Sequence, residues 1–346
     1  MIYHSSKHRD VLSYILNTRI RSTDRPLARR CTVIWDLYDI EDGVPQKQLT
    51  RVQQHLAVHD VCGVIINLSH ENISNTAHGL QQYVNFIRLW NPQQVTVWSS
   101  QADALQHLQD TVPGIRTQEI NFWEYATRTH RGKLRRPREP RRLVSLNRRY
   151  HPLRSQLIHQ LWPYRQQLHY TLGATDPWGH IISDEEYHAQ EWRGMPPGVQ
   201  HTVEQWEAHA QPWRSLDCDI SDWEQTHTWN FTNQGDVCIV MESRHQSRVP
   251  RTHAFVTEKT FRPIAMGKPI LVFGQPSIIN TLNTWGYQTI NTSADFNTVA
   301  HTAQQIATMP DDEYAHKLKY WKQVAQANLK RFNSRTEPLK PLAAAR

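Results

Sequence analysis

The sequence predicts an α/β protein built from two Rossmann-like domains, on three observations. Short apolar runs of strand length recur along the 346 residues, helical stretches alternate with them, and a basic, proline-containing tract divides the chain into two halves of domain size. Parallel βαβ units are the arrangement that buries such strands on both faces. The predicted boundaries are residues 1–130 for the first domain, 131–142 for a linker, 143–332 for the second domain and 333–346 for a disordered tail.

In the first half, residues 5–30 read as a helix followed by a basic turn. Cys31 to Trp35 is the first strong strand, leading to Asp36 and Asp39, and a helix follows with apolar positions at Leu49, Val52 and Leu56. A second strand, Cys62 to Leu68, delivers Ser69, His70, Glu71 and Asn72 to its C-terminal end. A helix over 76–90, a strand over 95–98, a helix over 102–110 and a return to the sheet over 115–123 complete the half. Carboxylates at strand ends can act as general bases. Asp36, Asp39 and Glu71 hold such positions, each also readable as a helix cap or a solvated loop acid. Glu71 is the candidate base because it follows the best buried strand and lies among polar residues.

The tract from Arg131 to Arg142 reads either as an interdomain linker or as a phosphate-contacting arm. Leu143 to Leu146 opens the second half as a strand, and Asn147 to Arg154 is the loop into a helix over 155–162. Arg148, Arg149 and Arg154 lie between that strand end and the helix start, where cations and a helix N-terminus together can grip a diphosphate. Residues 178–229 are dense in Trp, with a short helix over 203–209. They include Asp217-Cys218-Asp219, whose Asp-x-Asp form can hold a metal. No hydrophobic strand precedes it, so no metal site is expected.

Val237 to Met241 is a buried strand that ends on Glu242, a carboxylate at the crevice edge of the sheet. Thr257 then reads as a helix N-cap with Glu258 and Lys259 in the first turn. Pro263 requires either a kink or a regular helix that begins near Arg262. Gly267 stops the helix, Ile270 to Phe273 is a further strand, and Ile278 to Trp285 is a helix closed by Gly286. Helices over 296–309 and 311–332 follow, the latter amphipathic through Tyr314, Leu318, Trp321 and Val324.

The string Phe255-Val256-Thr257-Glu258-Lys259, then a helix, a Gly, a Pro and an apolar strand ending in Gly274, resembles the donor-binding motif of α-1,3-fucosyltransferases and related GT-B glycosyltransferases. That motif is usually Tyr-Val-Thr-Glu-Lys, and Phe255 stands where the family has Tyr. Glu242-Ser243 matches the family's Glu-Asn or Glu-Ser after its own strand. The likeness covers roughly a third of the chain, from the strand before Glu242 to about Phe296, with a fainter echo near Ser145. It implies a GT-B-like fold of two Rossmann-like domains facing across a cleft, with the donor in the second domain and the acceptor in the first. It also implies inverting, metal-independent transfer from a GDP- or UDP-linked sugar to a hydroxyl. Lys259 and Arg154 would hold the diphosphate, with Arg148 and Arg149 as alternatives to Arg154. Glu258 would accept from ribose hydroxyls, Phe255 and Thr257 would complete the donor site, Glu242 would lie near the transferred sugar, and Glu71 would deprotonate the acceptor.

At 21% charged and 38% hydrophobic residues, the composition is that of a globular chain. It has no apolar run of membrane-spanning length and no signal-peptide core at its start, so a cytoplasmic protein of bacterial or viral setting is expected. Cys31, Cys62, Cys218 and Cys238 read as buried free thiols, and neither Cys-x-x-Cys nor His-Glu-x-x-His occurs to suggest zinc. No cofactor besides the donor substrate is expected. The net charge of +7 calls for an anionic partner: a nucleotide diphosphate, an acidic glycan or DNA. The acceptor is then a surface or lipid-linked glycan, or a hydroxylated base of phage DNA. A third reading is a non-catalytic nucleic-acid-binding protein on a transferase fold.

Overall fold

The computed structural model describes residues 2–4, 21–22, 30–36, 50, 60–69, 77–129, 131, 134, 137, 140–147, 152–171, 226–242 and 254–334, and elements are numbered among these. The chain divides into two compact units at Thr129/His130, with Ala254 to Thr257 grouped with the first unit and Glu258–Asn333 with the second.

The first unit carries the strands β1 (Ile2–His4), β2 (Arg21–Ser22), β3 (Arg30–Asp36), β4 (Asp60–Asn67), β5 (Val95–Ser99) and β6 (Arg116–Glu119). They form one parallel sheet in the order β2-β1-β3-β4-β5-β6. Its helices are α1 (Ala77–Ile87), α2 (Ala102–Thr111) and α3 (Phe122–Thr129). Val33, Trp35, Val64, Ile66, Val95 and Val97 point to one face of the sheet and pack against Tyr83, Phe86 and Ile87 of α1 and Leu105 and Leu108 of α2. Two sequence expectations change. Arg21–Ser22 lies in the stretch read as a helix and a basic turn, yet pairs with β1, because a sheet partner outweighs local propensity. The return over 115–123 ends at Glu119, because Asn121 accepts from the Glu124 N–H (3.4 Å) and turns Phe122 and Trp123 into α3.

In the second unit, β7 (Arg141–Ser145), β8 (Leu168–Tyr170), β9 (Gly235–Met241) and β10 (Ile270–Phe273) form a parallel sheet ordered β10-β9-β7-β8. The helices are α4 (Pro152–Leu161), α5 (Thr226–Thr232), α6 (Glu258–Ala265), α7 (Ile278–Thr284), α8 (Phe296–Thr308) and α9 (Asp311–Ser334). On one face Leu157, Ile158 and Leu161 of α4 and Val299 and Ala303 of α8 pack on Leu143, Ile239, Met241 and Phe273. On the other, Val144 and Val240 share a cleft with Lys259, Arg262 and Pro263 of α6.

β7 begins at Arg141, inside the tract read as linker. Arg142 is buried: its guanidinium donates to the Ile306 carbonyl (3.1 Å) and the Met309 carbonyl, pairs with Asp311 and lies 4.4 Å from the Tyr314 ring centre. Arg141 donates to the carbonyls of Arg165 (3.0 Å) and Leu168 (2.8 Å), and Arg131 to Asn333 Oδ1 (2.7 Å). These three arginines therefore bond within the unit rather than forming an arm for phosphates. β8 has no counterpart in the sequence reading, since three residues carry too little periodicity. α4 starts at Pro152, three residues early, because proline suits a first helical position.

α6 starts at Glu258, as the Thr257 cap and the Glu258-Lys259 first turn predict, and it runs through Pro263, so the alternative of a regular helix beginning near Arg262 does not hold. Pro263 falls in the last turn, and its carbonyl accepts from the N–H of Met266 (3.1 Å) and of Lys268 (2.9 Å), which closes the helix. Gly267 follows at φ 67°, the left-handed conformation of a helix stop. α9 runs two residues beyond the predicted Phe332. Among the described residues, no helix is long and apolar enough to cross a membrane. Cys62 is half-buried and Cys238 buried, both as free thiols; the Cys31 and Cys218 side chains lie outside the described residues.

Candidate active site

In an open parallel sheet, a ligand crevice forms where two neighbouring strands send their connections to opposite faces. β7 and β9 are such neighbours, for β7 leaves through α4 on one face and β9 leads to α6 on the other. The first turns of α4 and α6 therefore flank the C-terminal ends of these two strands. Helix N-termini carry unpaired N–H groups and positive dipole ends, so this edge favours anions.

β9 delivers Glu242 to that edge. The Glu242 N–H donates to the Phe273 carbonyl (3.0 Å), and its Oε1 accepts from Thr260 Oγ1 at 2.6 Å. Glu242 is 3% exposed, and the bond ties the first turn of α6 to the end of β9. Gly274 follows β10 at the same level. A Cβ there would lie 3.0 Å from Ile278 Cδ1 and 3.4 Å from Glu242 Cβ, so glycine spares the first turn of α7 a tight contact. Arg154, in the first turn of α4 and 4% exposed, donates from Nη2 to the Met241 carbonyl at 3.2 Å, one residue before Glu242.

α6 adds the remaining charge. Lys259 Nζ lies 3.6 Å from Glu258 Oε1, with side chains 24% and 18% exposed. Arg262, one turn on, is buried; burial lowers its pKa and the Glu258 carboxylate raises it. Lys259, Arg262, Pro263, Val144, Leu146 and Met241 line part of a cleft of about 330 Å³, counting space open to solvent. Three cations, Arg154, Lys259 and Arg262, thus stand against two carboxylates, Glu242 and Glu258, in a partly desolvated setting where charge acts strongly.

Glu242, Glu258, Lys259 and Arg154 are thereby brought to one end of the second sheet. Phe255 is half-buried and Thr257 buried, and Thr257 directly precedes α6, the position of an N-cap. Glu71, Arg148 and Arg149 lie outside the described residues. Thr260, Arg262 and Asn147 went unmarked in the sequence. For Thr260 a signal existed, since it adjoins the Glu258-Lys259 pair. Asn147 lies two residues past Ser145, on the alternation that continues β7.

No family model and no curated protein matches the sequence. Solved structures do. A trehalose-6-phosphate synthase from Burkholderia multivorans is similar at 11% identity and TM-score 0.50, over 89% of this chain and 68% of that one. The T4 phage β-glucosyltransferase with its UDP-glucose substrate is similar at 8% identity and TM-score 0.50, over 97% and 96%. An α1,3-fucosyltransferase with GDP-fucose is similar at 10% identity and TM-score 0.38, over 97% and 90%, too distant to carry the family attribution of the motif. The chain therefore has the α/β fold of the GT-B glycosyltransferases, with two Rossmann-like domains. Identities this low extend to the fold and not to a particular protein.

Proposed function

We propose that the chain is an inverting, metal-independent glycosyltransferase that moves a sugar from a nucleotide-diphosphate sugar to an acceptor hydroxyl. The observation that carries the reading is the convergence of Glu242, Thr260, Lys259 and Arg154 at the C-terminal end of β9. In the proposed step the acceptor oxygen attacks the anomeric carbon while Glu71 takes its proton. The bond from that carbon to the diphosphate oxygen breaks, and its electron pair leaves with the nucleotide diphosphate. Lys259 and Arg154 stabilise the charge that develops there. Glu258 accepts from the ribose hydroxyls, and Glu242 lies near the transferred sugar.

Replacing Lys259 by Ala is expected to lower turnover roughly 100- to 1,000-fold with the fold intact by circular dichroism, the scale of losing one charge-stabilising donor. Near-wild-type turnover would remove Lys259 from the mechanism. Glu71→Gln is expected to abolish transfer while leaving donor affinity unchanged, and turnover is expected to survive a chelator.

A hydroxylated base of DNA as acceptor is the second reading, supported by the net charge of +7. It requires that the protein retard DNA on a gel and release it steeply as salt rises. DNA binding without any nucleotide-sugar affinity would favour the non-catalytic reading instead.

A further inference from the structure

Asn147 follows the end of β7 and is 1% exposed. Its backbone N–H donates to Thr171 Oγ1 at 2.9 Å, and its carbonyl accepts from the same hydroxyl at 3.1 Å. Its Nδ2 donates to Ser145 Oγ at 2.9 Å. The side-chain oxygen, Oδ1, is buried and has no hydrogen-bond partner among the described residues. Buried polar atoms are nearly always satisfied, so one without a partner in the protein is a place where a bound group can accept or donate.

The surroundings narrow what that is. Ser145 pairs with Ile239 across β7 and β9, so Asn147, two residues on, lies level with Met241. The Met241 carbonyl holds Arg154, and Glu242 is the next residue. An amide oxygen only accepts, and so do phosphate oxygens, so Asn147 Oδ1 repels a diphosphate and attracts an O–H group. Arg154, held by the Met241 carbonyl at the same level, supplies the contrary preference. We propose that Asn147 is a donor-specificity residue whose Oδ1 accepts a hydrogen bond from a hydroxyl of the transferred sugar. This rests on the reading that the crevice holds a nucleotide sugar.

The test is calorimetric titration of the full chain with UDP, UDP-glucose, GDP and GDP-fucose, for wild type, Asn147→Ala and Asn147→Asp. For the base that wild type prefers, Asn147→Ala is expected to weaken the sugar nucleotide about 5- to 30-fold and the bare diphosphate about twofold or less. Asn147→Asp keeps the accepting oxygen and is expected to retain the extra affinity that the sugar confers, while binding both ligands more weakly through its charge. Equal loss of both ligands in Asn147→Ala overturns the assignment to the sugar. No loss of either overturns the inference and leaves a buried water as the partner. A wild-type chain that binds none of the four overturns the reading of a GDP- or UDP-linked donor, and this inference with it.

Discussion

Thr260 contributes a single hydroxyl, and that hydroxyl meets Glu242 Oε1 at 2.6 Å in a buried setting. A buried carboxylate oxygen that loses a donor costs about 1–3 kcal/mol or more, since water cannot replace it. Thr260→Val is therefore expected to lower the stability of the second unit by that amount in urea denaturation, whereas Thr260→Ser should restore most of it. Cys238 shows the opposite use of burial. Its thiol is pushed up to about 12, first by desolvation, with the Lys268 charge opposing and the Asp236 charge adding. The thiolate is the reactive form, so Cys238 should resist iodoacetamide at neutral pH in the folded protein and label once unfolded, as peptide mass spectrometry can follow.

Among the elements, α6 depends on how it ends. Gly267 holds φ 67°, and a Cβ there would come within 2.9 Å of Gln326 Nε2 and 3.2 Å of Leu329 Cδ2 on α9. Gly267→Ala is expected to destabilise by about 1–2 kcal/mol through left-handed strain, before the shift of Gln326 is counted. A falling urea midpoint at unchanged slope would register it. α8 depends instead on how it begins. Asp295 caps it by accepting from the Thr298 N–H at 2.8 Å, and its carboxyl is held at about 2, chiefly by bonds from Ser293 and Thr298. A folded-state value below the ordinary 3.8 means that the cap stabilises above that pH and fades as pH falls toward about 2. Asp295→Ala should cost about 1 kcal/mol near neutrality, and the gap to wild type should shrink through that acid window.

At the scale of the whole molecule, ligand linkage is the most direct probe. A nucleotide present at about a hundred times its dissociation constant stabilises by roughly 2.7 kcal/mol, so a thermal-shift panel of GDP, UDP, ADP, CDP and dTDP should return one clear winner. A flat panel would count against the donor site. The element pattern behind that site was largely legible in the residues. The strands at β3, β4, β5, β9 and β10 announced themselves as apolar runs, and Glu258-Lys259 as a helix start. β2, β8 and the inward-bonded Arg141 and Arg142 did not, because a two- or three-residue strand has no period and an arginine's burial depends on remote carbonyls.

What the sequence determined by itself was therefore local: which stretches are strand or helix, where helices start and stop, and that a charged motif opens α6. Those properties follow from neighbouring residues, whose apolar spacing and caps act over a turn or two. The tertiary structure decided which side chains share the crevice. Arg154 and Met241 are 87 residues apart and meet only because the sheet runs β10-β9-β7-β8. Parallel pairing sets β7 beside β9 and sends α4 and α6 to opposite faces, and that strand order brings Asn147, Arg154, Glu242 and Lys259 to one end of the sheet.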